Sequence, residues 1–310
     1  MPKFKLLNYS QLKSPARAGI LIKDFVYDLE AALLATEHSV NFDPFNMVSV
    51  LNEWDRVRPA IDFIETKVSI GILDHIKIPF KDVQLTAPLP NPGMFYSAEA
   101  NYSDYLQEMT GNPEPNEPTR PFILTHATRA SIIGPKENIV LPEHSQRIDW
   151  QAEIALIIGR RGKKIPREKA WEYVAGFTLI NNLSARDLTK RYDVPFVFDW
   201  FSLKSFDSST PMGPWITPTD DIPNPNKLSI KLWVNKSLKQ DSSTDNMIVS
   251  FEGLISYISE RVTLFPGDLI ATGTPAGCGA IQKQSLKDGD VVRIEVDGLG
   301  ELINPVQKNK

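Results

Sequence analysis

Between residues 147 and 159 the chain reads RIDWQAEIALIIG, where polar and apolar positions alternate before an unbroken apolar run begins. On a pleated strand every second side chain points the same way, so Asp149, Gln151 and Glu153 are expected on one face and Trp150, Ala152 and Ile154 on the other. Strand-like runs recur after residue 90: MFYSA, FILTHA, ASIIG, NIVLP, VAGFTLINN, KLSIKLWVN, DLIATGT and DVVRIEVDGLGELINPV, several of them separated by Pro-Gly or Asp-Gly turns. Helices are predicted for MVSVLNEWDRVRPAIDFIE, SDYLQEMTG, PREKAWEYV and NMIVSFEGLISYISERV. Many strands, few helices and no regular βα alternation predict a β-rich α+β fold rather than a doubly wound sheet. The proline-rich APLPNPG near residue 90 reads as a linker, dividing a small N-terminal α+β unit (1–89) from a larger unit (90–310).

Composition narrows the classes. With 310 residues, 42% hydrophobic content and a net charge of −4, the chain is long enough for a large core and shows no basic surface of the kind that binds nucleic acid. GRRGKKIPREK is the densest basic run and, without interleaved aromatics, reads as a solvated turn. No run approaches the roughly 18 apolar residues of a membrane span, and MPKFKLLNYSQLKSPARAG lacks a secretory apolar stretch, so a soluble, cytoplasmic protein is expected. The single cysteine, Cys278, rules out an internal disulfide and a multi-cysteine metal site. His38, His75, His126 and His144 are scattered, and none is spaced like a zinc pair.

Five stretches carry chemistry-bearing side chains. Glu153, on the opening strand, would need a cation, a hydrogen-bond set or a proton if buried; on an edge strand it would simply meet water. TLINNLSARDL (178–188) runs from apolar strand into Asn181, Asn182, Ser184, Arg186 and Asp187, either ligating groups or a capped turn. Lys204 sits among aromatics in WFSLKSFDSSTPMGPW, and either snorkels outward or faces an anion. The Gly-Thr-Pro-Ala-Gly loop from Gly273 could offer backbone N–H groups and the Thr274 hydroxyl to an anion, although most such loops are turns. In ANYSDYLQEMTG, Ser103 is expected to cap a short helix on which Tyr105 and Glu108 share a face.

Taken in order, MFYSAEANYSDY, DWQAEIALIIG, VAGFTLINNLSARDL, LKSFDSSTPMGPWI and LFPGDLIATGTPAGCG resemble the successive signature blocks of the fumarylacetoacetate hydrolase family, from residue 94 to GLGELINPV ending at 306. The resemblance implies a mixed β-sheet or β-barrel-like core, usually dimeric. It also implies bound Mg²⁺, Mn²⁺ or Ca²⁺ and an enolate route on 2-oxo acids or 1,3-dicarbonyl compounds. Carried onto this chain it implies Glu153, Gln151 and Asn182 as metal ligands. Tyr105, Glu108 and Lys204 become catalytic groups, and Arg186, Thr274 and Gly273 bind the anionic substrate.

Three positions depart from the family pattern. The strand motif usually reads Glu-x-Glu but here begins with Gln151; an Asp ligand is replaced by Asn182; and the lid-helix His is replaced by Tyr105. Ligand charge falls from minus three to minus one, so metal binding is expected to be weak or absent. An unperturbed phenol, with a pKa of roughly 10, is a poor base near neutrality. The expectation is therefore a homodimeric hydrolase- or lyase-type enzyme acting by carbon–carbon hydrolysis, decarboxylation or isomerisation. The alternative is a relative that holds a small oxo acid without turning it over.

Overall fold

The computed structural model describes residues 4–11, 14–113 and 120–309; parts of the N-terminal stretch read above, residues 1–3 and 12–13, lie outside them. The fold is strand-rich α+β, as the sequence pattern predicts. Its main sheet runs Ile78–Pro79, Phe25–Asp28, Arg17–Ile22, Lys5–Ser10, Thr210–Pro218, Val174–Asn181, Ala152–Ile158, Leu269–Ala271, Phe95–Glu99, Phe122–Thr125. Neighbours on this path are antiparallel except Leu269–Ala271 with Phe95–Glu99, which run parallel. A second sheet orders Ser237–Ser243, Ser229–Val234, Val291–Val296, Gly300–Lys308 and Ile139–Leu141.

The N-terminal strands are joined to the rest through Leu6 opposite Ile216, so residues of the N-terminal unit extend the main sheet. Their helices cover one of its faces: Trp54, Val57 and Ile61 pack in one core with Ala155, Ile157, Ile180 and Leu269. The other face carries Ile154, Leu156 and Ile158, packed with Phe251, Leu254 and residues of the second sheet. Ala152–Ile158 is therefore buried at every position, which accounts for its apolar run.

Several elements differ from the sequence expectation. RIDWQAEIALIIG is not one strand: Ile148–Asp149 pairs with Ser184–Ala185, and the ladder resumes at Ala152. Side chains interrupt it, since Gln151 N donates to Asn181 Oδ1 (2.9 Å) and Ala152 N to Gln240 Oε1 (2.9 Å). The long N-terminal helix is two, Met47–Asn52 and Trp54–Ser69; Pro59 sits on an exposed turn, where the carbonyl it leaves unpaired can meet water. Arg167–Tyr173 is 3₁₀ rather than α. Ser103 is the first helical residue rather than the cap, which is Tyr102 and makes no side-chain capping bond. Among the described residues no helix is long and apolar enough to cross a membrane.

Close strand packing is enforced at Gly176, where an added Cβ would lie 2.3 Å from the Thr217 carbonyl oxygen. Gly176→Ala is expected to destabilise the fold by about 1–3 kcal/mol through overpacking. The check is a lower urea midpoint at unchanged slope; a wild-type midpoint would contradict it.

Candidate active site

Four strand ends meet at one place. Phe95–Glu99 delivers Ser97 and Glu99, the start of Ala152–Ile158 delivers Gln151 and Glu153, the end of Val174–Asn181 delivers Asn182, and the segment after Leu269–Ala271 delivers Gly273. The short helix Trp200–Lys204, capped by Asp199 on Ser202 N, brings Lys204 in from the side. The Lys204 ammonium, 1% exposed, is the hub. Its Nζ donates to Gln151 Oε1 and to the Asn182 carbonyl oxygen (3.2 Å), and lies 3.4 Å from Glu99 Oε1. Gln151 Oε1 also accepts from Ser184 Oγ at 2.9 Å.

Glu153 lies one layer deeper, with Oε1 accepting from Asn182 Nδ2 (2.9 Å) and Oε2 from Gly273 N (2.8 Å). The Gly-Thr-Pro loop thus spends its Gly273 N–H on a protein carboxyl group. Gly273 has φ +90°, and a Cβ there would lie 2.9 Å from Ala98 O, so glycine is the residue that fits. Asn182 Nδ2 also donates to Ser97 Oγ (2.9 Å), whose hydroxyl donates to Glu99 Oε1 (3.0 Å). One network therefore links the two carboxyl groups.

Charge is divided unequally between them. Burial pushes the Glu153 carboxyl up to about 8, with Glu99 adding to the rise and Lys204 opposing it. For Glu99, burial also favours the neutral form, but Lys204 outweighs it and the carboxylate lies below its ordinary range. One ammonium balances one carboxylate, and near neutrality the deeper group keeps its proton. Burial, followed by Lys204, lowers His126 to about 3, leaving a neutral imidazole stacked on Phe95 at 4.3 Å.

The remaining expected residues form a rim. Tyr105 lies against Arg186, and burial raises its phenol to about 12. Arg186 Nε pairs with the buried Asp149 carboxylate at 2.8 Å, while its Nη2 is buried without a partner. Asp149 also accepts from Gly279 N (2.6 Å) and Ala280 N (3.2 Å). Glu108 does not reach the lysine cluster: its Oε2 accepts from Gly277 N at 2.7 Å. Thr274 Oγ1 accepts from Gln240 Nε2 at 2.9 Å. A surface cavity of about 610 Å³ bordered by Leu141, Ile148, Leu286 and Lys308 touches none of these groups.

Sequence reasoning brought Gln151, Glu153, Asn182 and Lys204 together. It missed Glu99, Ser97 and His126. The available signal was the Ser97-x-Glu99 spacing at a strand end, which places both side chains on one face.

The cluster does not fit a hard divalent cation. Such an ion takes six or more oxygen ligands and draws its affinity from their charge. Here Gln151 Oε1 is held by Lys204 and Ser184, and both Glu153 oxygens accept N–H bonds. Asn182 Oδ1 is buried without a partner. Among the described residues no group of three or more His, Cys, Asp or Glu gathers as a metal site.

A buried ammonium and paired carboxyl groups at converging strand ends define the class, a β-rich α+β enzyme. Residues 94–307 match the model of the fumarylacetoacetate (FAA) hydrolase C-terminal family, and the chain belongs to that family. It is 40% identical over 227 residues, 73% of this chain and 69% of the relative, to a mitochondrial oxaloacetate tautomerase of Xenopus laevis. Among solved structures it resembles maleylpyruvate hydrolase from Sphingobium sp. SYK-6 in complex with manganese(II) and pyruvate, with TM-score 0.75, 27% identity and coverage of 99% of this chain and 100% of that one. It also resembles 2-hydroxyhepta-2,4-diene-1,7-dioate isomerase from Mycobacterium marinum, with TM-score 0.63, 32% identity and coverage of 75% and 81%.

The Asp149 pair carries a stability prediction. Asp149→Ala strips Arg186 of its counter-ion and leaves two backbone N–H groups unpaired, so a loss of about 3 kcal/mol or more is expected. Arg186→Ala leaves Asp149 still held by those N–H groups and should cost less. Denaturant unfolding of both variants decides the order; a costlier Arg186→Ala would contradict it.

Proposed function

We propose that this protein catalyses proton relocation through an enolate on a small 2-oxo acid, a tautomerisation or isomerisation rather than carbon–carbon hydrolysis. The observation that carries the reading is the buried Lys204 ammonium, set between Gln151, the Asn182 carbonyl and Glu99, with the unpartnered Arg186 Nη2 at the rim. Arg186 takes the substrate carboxylate, and Lys204 faces the carbonyl oxygen on which negative charge develops. Preorganised donors at that oxygen lower the barrier most. Tyr105 closes the rim as a neutral phenol rather than a base.

On the lid helix, where the family resemblance puts water activation, neither side chain is well suited to it: the phenol of Tyr105 holds its proton to about pH 12, and Glu108 Oε2 is held by Gly277 N–H. Tautomerisation needs no water, and the similarity to an oxaloacetate tautomerase supports it. Residues 90–310 hold every group of the site, and we assign residues 1–89 a packing role on the sheet. A homodimer is proposed on family grounds.

The test follows enol-to-keto conversion of oxaloacetate by the loss of enol absorbance, beside pyruvate release from an acylpyruvate. Acceleration of the first without the second is expected; brisk pyruvate release would replace this reading with hydrolysis, and neither activity would leave a binding protein. A second prediction concerns charge. The Gln151→Glu, Asn182→Asp double variant should bind Mn²⁺ at least about tenfold more tightly than wild type by calorimetric titration; equal affinities would show that these side chains do not control cation binding.

A further inference from the structure

We infer that the ion pair of Glu99 and Lys204 takes the place of a divalent cation, with Glu99 removing the proton α to the carbonyl and Lys204 receiving the enolate oxygen. The inference rests on the enolate reading and assigns its proton-transferring group. Glu99 belongs to none of the positions to which the family resemblance points.

The argument is one of access. Glu153 is 1% exposed and both of its oxygens are held by N–H donors inside the protein, so burial closes it off from a substrate. The Glu99 side chain is 19% exposed, at the end of its strand and on the side of the cluster where Tyr105 and Arg186 form the rim. Ser97 Oγ, itself held by Asn182 Nδ2, fixes Oε1 at 3.0 Å. Lys204 stands 3.4 Å from the same oxygen and is itself held by Gln151 and the Asn182 carbonyl. Base and electrophile are thus adjacent and rigidly placed, the geometry that abstraction of an α proton requires.

The cycle closes without an outside reagent. The Glu99 carboxylate takes the C3 proton of the 2-oxo acid; the C–H pair forms the C2–C3 double bond, and the carbonyl π pair moves onto oxygen. Lys204 gives one N–H proton to that oxygen, producing the enol and a neutral amine. The Glu99 carboxylic acid then passes its proton to the amine, restoring the ion pair. A metal ion can hold the enolate oxygen but carries no proton to give it.

The experiment is deuterium uptake at C3 of 2-oxobutyrate in D₂O, followed by proton NMR. Wild type is expected to exchange, with no change after EDTA treatment or Mn²⁺ addition. Glu99→Gln should lose at least about 100-fold in exchange rate while still binding 2-oxobutyrate and remaining folded at the assay temperature by circular dichroism, with a melting temperature lowered by loss of the Lys204 counter-ion. Glu99→Asp should recover part of the rate, which a purely structural role would not produce. Wild-type exchange persisting in Glu99→Gln, or exchange lost on chelation and restored by Mn²⁺, overturns the inference and leaves the enolate reading standing. A wild-type protein that exchanges no deuterium overturns both.

Discussion

An ammonium group taken out of water costs several kcal/mol unless it is paired and hydrogen-bonded, and Lys204 is taken out almost completely. Its partners arrive from three separate segments: Gln151 from one strand end, Asn182 from another and Glu99 from a third. None can supply its oxygen unless the main sheet is in register. The antiparallel pairing of Ala152 with Asn181, and the parallel pairing of Ala271 with Ser97, bring those ends to the same level. Sheet register and charge satisfaction are therefore one constraint, and a strand slipped by one residue would bury a lone cation.

The same constraint gives the two amides a role. With carboxylates at 151 and 182, four acidic groups would crowd one lysine, and a divalent cation would be needed to offset them. Amides take part in the hydrogen bonding around the lysine without adding charge. Gln151 presents its oxygen to Nζ, while Asn182 turns its NH₂ toward Glu153 and Ser97 and offers Lys204 its backbone carbonyl instead. Exchanging charge at those positions and placing Glu99 beside the lysine are parts of one balance.

Much of this was legible in the sequence, and the losses have physical causes. Strand content and the polar cluster after Val174–Asn181 followed from alternation and from polar groups clustering at strand ends, whereas local pattern left Lys204 open between outward and inward and only the family resemblance placed it in the site. The run IALII could not reveal that both faces of its strand are covered, because that depends on helices more than eighty residues away in the chain. The break at Trp150–Gln151 comes from Asn181 and Gln240 side chains replacing strand partners, which no local pattern encodes. Glu99 carries no local signal, because a lone Glu at a strand end usually meets solvent and its meaning depends on a lysine 105 positions later.

The rim is tied to the cluster through the loop that follows Leu269–Ala271. Gly273 holds Glu153, Gly277 holds Glu108 on the lid helix Ser103–Thr110, and Trp150 donates its indole N–H to Gly277 O at 3.0 Å. Asn101, just before that helix, bonds Thr272 O (2.9 Å) and both polar backbone groups of Val249. Each bond is worth about 1 kcal/mol net, and together they offset part of the cost of ordering the helix and its approach. On the proposed reading, a lid fixed in this way would limit water at the enolate, which suits a reaction that only moves a proton. Hydrolysis has the opposite requirement, a water admitted and ionised beside the same carbon. A phenol pressed against a guanidinium provides for the first and works against the second.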